Sequence, residues 1–421
     1  MVHIDPNIQR EFALRVVQRL RAAGYEAWWA GGCVRDHLLG LVPKDYDVAT
    51  SARPDAIRAL FGKRRTIAIG AAFGVITVLG PPGAGQIEVA TFRRDAAYLD
   101  GRHPEHVTFS SAQEDASRRD FTVNGLFFDP IAAQVIDYVD GQQDLQRRVV
   151  RAIGNPFERF KEDKLRLLRA VRFAATLDFA LDPHTASAIR DMAAEVLVVS
   201  PERIAGEMRR MLVNRHRVRA VRLLLETGLA GAILPETVPH SEDDRTHLEH
   251  CLTVLDNLVE PGFPLALAGL LHGRVGSAQA EEIGGRWRLA NKEVSRVAWL
   301  VEHYAALDHA RLRPWSEIQT CFVAHGIDDL LALLDARTQA GAVNPEEVAW
   351  CRQQRARPEH ELDPAPLING DDLKNHGIPR GPVYRKLLDR VRAAQLDRII
   401  DSREAALALV DRLLREETSH G

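Results

Sequence analysis

Two aspartates, Asp45 and Asp47, stand two residues apart in the run PKDYDVAT. Side chains at i and i+2 of a strand leave the same face, so this spacing presents two carboxylates together. Such oxygen ligands suit Mg²⁺, which completes its shell with water and substrate phosphates. Glu88, on the next-but-one expected strand, is a candidate third carboxylate. Upstream, Gly31-Gly32 stands where an expected strand meets a helix. Without side chains there, a polyphosphate can approach backbone N–H groups at a helix N-terminus. Arg35, one turn in, is placed to fork onto a phosphate. Its neighbour Asp36 is expected to orient other groups rather than bind metal. A D-x-D pair or a glycine pair alone is common. Both together, with Glu88 downstream, point to metal-assisted chemistry on a phosphate.

The elements that must hold these residues read as follows. Residues 8–23 form an amphipathic helix with Ile8, Phe12, Val16 and Leu20 on one side, ended by Gly24. A strand over Glu26–Ala30 leads into Gly31-Gly32 and a short helix over Val34–Leu39. The next strand spans Asp45–Val48. A helix over Ser51–Phe61 follows, with Ser51 as N-cap and Pro54 in its first turn. Strands over Gly74–Leu79 and Gln86–Phe92 make a hairpin around PPGAG. Residues 93–110 read as a mobile loop, and strands over Phe121–Asp129 and Val135–Tyr138 complete a mixed α/β part ending near 150. Beyond it, helical segments over 157–177, 184–195, 200–214 and 216–227 succeed one another, and helical patterning continues to the end.

The run GGCVRDHLLG followed by DYD resembles motif A of the class II tRNA nucleotidyltransferase and bacterial poly(A) polymerase family. Glu88-Val-Ala-Thr-Phe-Arg resembles that family's strand before its flexible loop, and Tyr98-Leu-Asp-Gly-Arg-His-Pro resembles the loop. Arg118 to Asn124 resembles motif B, Asp137 to Arg148 the hinge motif C, and Ser200-Pro-Glu-Arg-Ile with Glu207 motif E. The matches stand in family order over roughly residues 25–215. The resemblance implies an α+β fold. An N-terminal nucleotidyltransferase head of polymerase β type (1–150), with a small mixed sheet, would precede an all-α neck (151–215), body (216–355) and tail (356–421).

A second constellation lies in EDKLRLLRAVRF, residues 162–173. On one continuous helix, Asp163 and Arg166 are i and i+3 and lie side by side. Arg169 and Arg172 continue the series, drifting by ~60° per step. A salt-bridged solvent face is the plain alternative, but it does not need so many arginines against so few acids. Cytosine and adenine both carry an exocyclic amino group beside a ring-nitrogen acceptor. Asp163 can accept from the amino group while Arg166 donates to the ring. Uracil and guanine put a carbonyl where the amino group stands, and unpaired polar groups cost ~1–3 kcal/mol each. The segment resembles motif D, through which the family selects CTP and ATP without a nucleic-acid template. The same resemblance implies that Arg119, Arg169 and Arg172 contact the nucleotide and that Asp120 meets the ribose hydroxyl. Two Mg²⁺ ions on Asp45 and Asp47 would serve the RNA 3′-hydroxyl and the leaving pyrophosphate, while Gly32, Arg35 and nearby arginines hold the triphosphate.

The bulk numbers are those of an ordinary globular protein: 421 residues, 46% hydrophobic, 27% charged and a net charge of −3. Whole-chain charge therefore predicts no nucleic-acid binding, and local arginines such as the run Arg209 to Arg222 must carry it. Four cysteines without a CxxC pair fit free thiols in a reducing compartment. No run approaches a membrane span and the N-terminus lacks signal-peptide order, so the expected location is cytoplasmic. His247, His250 and His272 sit in a segment like an eroded HD phosphohydrolase, with Gly273 where an aspartate is expected. That loss argues for a helical spacer with a packed His272.

The leading function is addition of C, C and A to tRNA 3′ ends from CTP and ATP. Poly(A) polymerase is the nearest rival, disfavoured by the absence of a strongly basic C-terminal tail. An A-adding-only enzyme also stands, whereas the intact loop at Tyr98 argues against a CC-only one. A noncatalytic RNA-binding protein would not need Asp45, Asp47 and Glu88 together.

Overall fold

Asp5 opens the first helix, its carboxylate accepting from the amides of Asn7 and Ile8, with Pro6 at the first helical position. This helix, α1 (Pro6–Ala22), buries Val16, Val17 and Leu20 against strands β1 (Ala27–Ala30) and β2 (Asp47–Thr50). The computed structural model describes residues 4–95 and 107–418. The chain divides into two units, Met1–Val238 and Pro239–Gly421.

The first unit is built on a mixed sheet. Its further strands are β3 (Thr66–Ile67), β4 (Val75–Leu79), β5 (Gln86–Thr91), β8 (Phe127–Asp129) and β9 (Gln134–Ile136); between them in the chain, β6 (Arg93–Asp95) and β7 (Val107–Phe109) form a separate ribbon. The sheet order is β3-β4-β5-β2-β1-β8-β9, with β2 and β5 parallel and the other neighbours antiparallel. The crossover between β2 and β5 carries helix α3 (Pro54–Phe61) together with β3 and β4. Helix α2 (Gly32–Leu38) leaves the end of β1. Helix α4 (Ala112–Ser117) places Ala112 and Ala116 in one core cluster with Ala30, Ala49, Phe92 and Phe127.

Several expected elements differ in detail. Strand β2 begins at Asp47, and Asp45 lies in the bend before it. Ser51 does not cap α3, whose N-cap position is Arg53; the Ser51 hydroxyl instead accepts from the Glu26 amide and ties β1 to β2. The run expected as a strand from Phe121 is a 3₁₀ turn at Thr122–Asn124 before β8. The expected loop 93–110 begins and ends in the paired strands β6 and β7; Tyr98 to Pro104 lie outside the described residues.

Helix α5 (Gly141–Arg147) follows a turn in which the Asp137 carboxylate accepts from the amides of Val139, Gly141 and Gln142. The expected single helix over 157–177 is two, α6 (Pro156–Glu162) and α7 (Leu165–Thr176). Asp163 stands between them in an extended conformation, φ −146° and ψ 107°. Neither glycine nor proline marks this break. Aspartate competes for backbone amides, and here its Oδ1 accepts from Leu165, the first residue of α7. Helix α7 buries Leu167, Leu168, Val171 and Phe173. Helices α8 (Pro183–Met192), α9 (Pro201–Leu212) and α10 (Arg217–Glu226) follow, and α7 packs against α9 and α10.

The second unit is helical throughout its described residues, from Glu242–Asn257 to Arg403–Thr418. Near its C-terminal end, Ile368, Leu373, Ile378, Leu387, Val391, Ala406 and Val410 form a local core. His247, His250 and His272 gather with ring centroids 5.7 to 6.3 Å apart. His272 is a packed residue: it is buried, its Nδ1 meets the Gly269 carbonyl at 2.8 Å, and burial brings its pKa down to about 4. Gly273 has φ +69°, and a Cβ there would lie 2.7 Å from the His247 ring.

Candidate active site

The strand pairing does the first part of the positioning. Ala30 is the antiparallel partner of Asp47, and Glu88 is its parallel partner on the other side. Strands in register lie ~4.8 Å apart, so Asp47 and Glu88 rise side by side on one face. That face also carries Ala49, which packs under α4. Asp47 reaches solvent from within a concave wall. Loss of surrounding water, then the charges of Asp45 and Glu88, push its pKa up to about 7, against the opposing pull of Arg119. Three carboxylates thus crowd one corner, an arrangement that a bound cation relieves. Among the described residues no group of three or more His, Cys, Asp or Glu is arranged to hold a metal ion. Two carboxylates by themselves would leave most of a cation's shell to water and phosphate oxygens. Beneath them Cys33 is buried, its thiol donates to the Ala30 carbonyl, and burial pushes it up to about 12, which removes it as a nucleophile.

The second part is a cavity of about 600 Å³, of the size that takes a small-molecule ligand. Every expected site residue except Glu88 lines it: Gly31, Gly32 and Arg35; Asp45 and Asp47; Arg119 and Asp120; Asp163, Arg166, Arg169 and Arg172. Arg118, Asn124, Phe173 and Arg203 line it too and carried no assigned role in the sequence reading. Arg118, Asn124 and Arg203 stand within the motif-like runs, so motif membership was their available signal. Phe173 looked like another apolar position on its helix.

Each arginine is tethered. Arg35 donates to Asp36 and, at 2.7 Å, to Asn124 Oδ1, so Asp36 orients its neighbour as expected. Arg119 is held by Asp115 and by the Asn124 carbonyl, and lies over the Phe127 ring. It passes so close to Gly31 that a Cβ there would be 2.9 Å from its Nη1. Arg169 donates to Asp120. Burial raises the Asp120 pKa, but Arg169 and Asn124 outweigh it and hold the carboxyl at about 2. With Arg169, Asn124 and the Phe121 amide all donating to it, Asp120 serves first as an anchor for Arg169. Arg172 pairs with buried Glu207; burial lowers its pKa to about 10, still cationic at neutral pH. The guanidinium groups of Arg35, Arg169 and Arg172 sit 5.2, 5.3 and 3.9 Å from the Phe173 centroid, which makes that ring the hub of the array.

One expectation is corrected here. Asp163 and Arg166 do not sit side by side on one helix, because the helix breaks between them. Asp163 Oδ2 accepts from Arg203 at 2.7 Å, while Arg166 is held by Glu162 and by the carbonyls of Arg159 and Arg118. Both nevertheless line the same cavity, so an acceptor and a planar donor remain available to one ligand edge. The arginine run further on is partly structural: Arg210 pairs with Glu207, Arg219 with Asp178, and Arg217 is buried against the Asn214 carbonyl.

Residues 27–151 match the family model described as poly A polymerase head domain. Residues 178–240 match the probable RNA and SrmB-binding site of polymerase A. A CCA-adding enzyme of Streptococcus suis is 33% identical over 95% of this chain and 96% of its own length. The chain belongs to the CCA-adding enzyme family. A CCA-adding enzyme of Geobacillus stearothermophilus is 34% identical over 90% of this chain and 91% of its own. The crystal structure of the Bacillus stearothermophilus CCA-adding enzyme in complex with CTP superposes with a TM-score of 0.73 at 30% identity, covering 97% of this chain and 98% of that one. The α+β architecture is thus that of CCA-adding enzymes: a mixed-sheet head and a mostly helical remainder. Enzymes of this nucleotidyltransferase family generally use divalent metal ions. Among the described residues, no helix is long and apolar enough to cross a membrane.

Proposed function

We propose that this chain adds C, C and A to the 3′ end of tRNA, using CTP and ATP and releasing pyrophosphate. The observation that carries the reading is one cavity lined both by the Asp45–Asp47 pair and by Asp163 and Arg166. In this reading Asp45 and Asp47 would hold divalent cations, two Mg²⁺ ions, which would supply Lewis acidity to the phosphoryl transfer. Arg119, Arg169 and Arg172, fixed by Asp115, Asp120 and Glu207, present preorganised positive charge to the triphosphate. Glu88 lies beside Asp47 and adds to the negative field there. The 3′-hydroxyl oxygen attacks the α-phosphorus, the bond to the β,γ-pyrophosphate breaks, and no covalent protein intermediate forms. Asp163 accepts from the amino group of cytosine or adenine, Arg166 donates to the ring, and a base with a carbonyl there is rejected.

In this reading the head, 1–150, holds the carboxylates, and the neck, 151–215, selects the base. The neck also binds RNA, the body, 216–355, is a helical spacer with the HD-like segment, and the tail, 356–421, binds tRNA in the cytoplasm. Relatives named CCA-adding enzyme that match over nearly the whole chain support tRNA as acceptor over a poly(A) tail. The test is Asp45→Ala. It abolishes nucleotide incorporation into tRNA while the far-UV circular dichroism and melting temperature stay near wild type. A variant that still incorporates at the wild-type rate overturns the metal assignment.

A further inference from the structure

We infer that Arg203 is a positioning residue for base selection, acting through Asp163 from the face of α9. The inference rests on the reading of Asp163 as the acceptor that recognises the base. Asp163 lies in extended backbone between two helices, where no helical ladder fixes its orientation. Two hydrogen bonds do so instead. Oδ1 accepts from the Leu165 amide at 3.0 Å, and Oδ2 accepts from Arg203 at 2.7 Å. A carboxylate has about four acceptor positions, so lone pairs remain for an incoming amino group. Arg203 and Asp163 are 24% and 17% exposed, which places the pair at the cavity wall and not in bulk water.

Helix α9 supports the neighbouring segment at a second point. Glu207, four residues after Arg203 and so on the same face, holds Arg172. One helical face thus grips the base-reading segment at Asp163, two residues before α7, and again at Arg172, about two turns into that helix. Hydrogen-bond selection needs its acceptor in a fixed place, because a carboxylate free to rotate can turn away from a carbonyl it should repel. The Arg203 guanidinium supplies that constraint and keeps a positive charge beside the acceptor.

The test compares Arg203→Gln and Arg203→Lys with Asp163→Asn, using single-nucleotide incorporation into tRNA. Melting temperatures establish that each variant folds, and Arg203→Lys serves if Arg203→Gln does not. Arg203→Gln lowers the ratio of kcat/KM for CTP over UTP by about tenfold, the effect of one charge-assisted hydrogen bond. Arg203→Lys restores part of it. The double variant Arg203→Gln/Asp163→Asn selects no worse than Asp163→Asn alone, because the two residues act as one unit. Equal losses for all four nucleotides, or additive losses in the double variant, overturn the inference. If Asp163→Asn relaxes selection and Arg203→Gln does not, the inference alone falls. If Asp163→Asn leaves selection intact, the base-reading assignment falls and takes this inference with it.

Discussion

Replacing Asp120 with asparagine tests the electrostatic scaffold of the site quantitatively. The carboxylate is 9% exposed and accepts from Arg169, Asn124 and the Phe121 amide. Its pKa falls from 3.8 to about 2 in the folded chain. At ~1.36 kcal/mol per unit, the charged form is worth about 2 kcal/mol to the fold. The sign follows from the direction of the shift. A carboxyl depressed on folding stabilises the protein above its unfolded pKa, and that stability disappears as pH falls through the folded value. Asp120→Asn is therefore less stable than wild type by about 2 kcal/mol at pH 7, and the gap narrows below pH 4. At pH 3 about half of it is gone. Urea unfolding followed by circular dichroism, run from pH 7 to pH 3 on both proteins, measures the gap. The KM for nucleotide rises in the variant, because Arg169 loses its anchor. A stability gap that stays constant over this range, or widens on acidification, refutes the reasoning.

Two further substitutions probe separate parts of the site. Gly31→Ala places a Cβ on a backbone with φ +72° and ψ −127°, 2.9 Å from Arg119 Nη1. The strain is ~1–3 kcal/mol, and Arg119 must move, so both melting temperature and nucleotide affinity fall; unchanged affinity contradicts the account. Glu207→Ala leaves Arg172, 13% exposed, without its carboxylate partner and destabilises the fold by ~3–5 kcal/mol in urea titrations, while Glu207→Gln costs less.

The meeting of Asp47 and Glu88 was legible because strand pairing is a strict code. Parallel register sets Glu88 beside Asp47, but Asp45 lies in the bend before the strand, so the period-two argument did not hold for it. Gly31 was read as leaving room for a polyphosphate; its φ of +72° is a second, backbone reason for glycine that the sequence reading did not give. The sequence grouped Asp163, Arg166, Arg169 and Arg172, and all four line one cavity, but the expected local geometry was wrong. A helical pattern runs through EDKLRLLRAVRF, and nothing local announces that Asp163 leaves the helix to bond Leu165 and Arg203. Ser51 failed similarly: its hydroxyl found a strand amide in place of a helix end. The tethers of the arginines, and Phe173 as their common ring, depend on side chains up to 89 residues apart meeting in space, as Arg35 and Asn124 do. Spacing along the chain does not encode such meetings.

Ordered, protein-templated completion of a tRNA end is the activity the site implies. It is tested by offering tRNA transcripts that end at the discriminator base, at C and at CC, each with a single labelled nucleoside triphosphate. CMP is expected on the first two, AMP only on the transcript ending in CC, and no UMP or GMP on any. Repeated AMP addition to all three, or incorporation of UMP at a comparable rate, contradicts it.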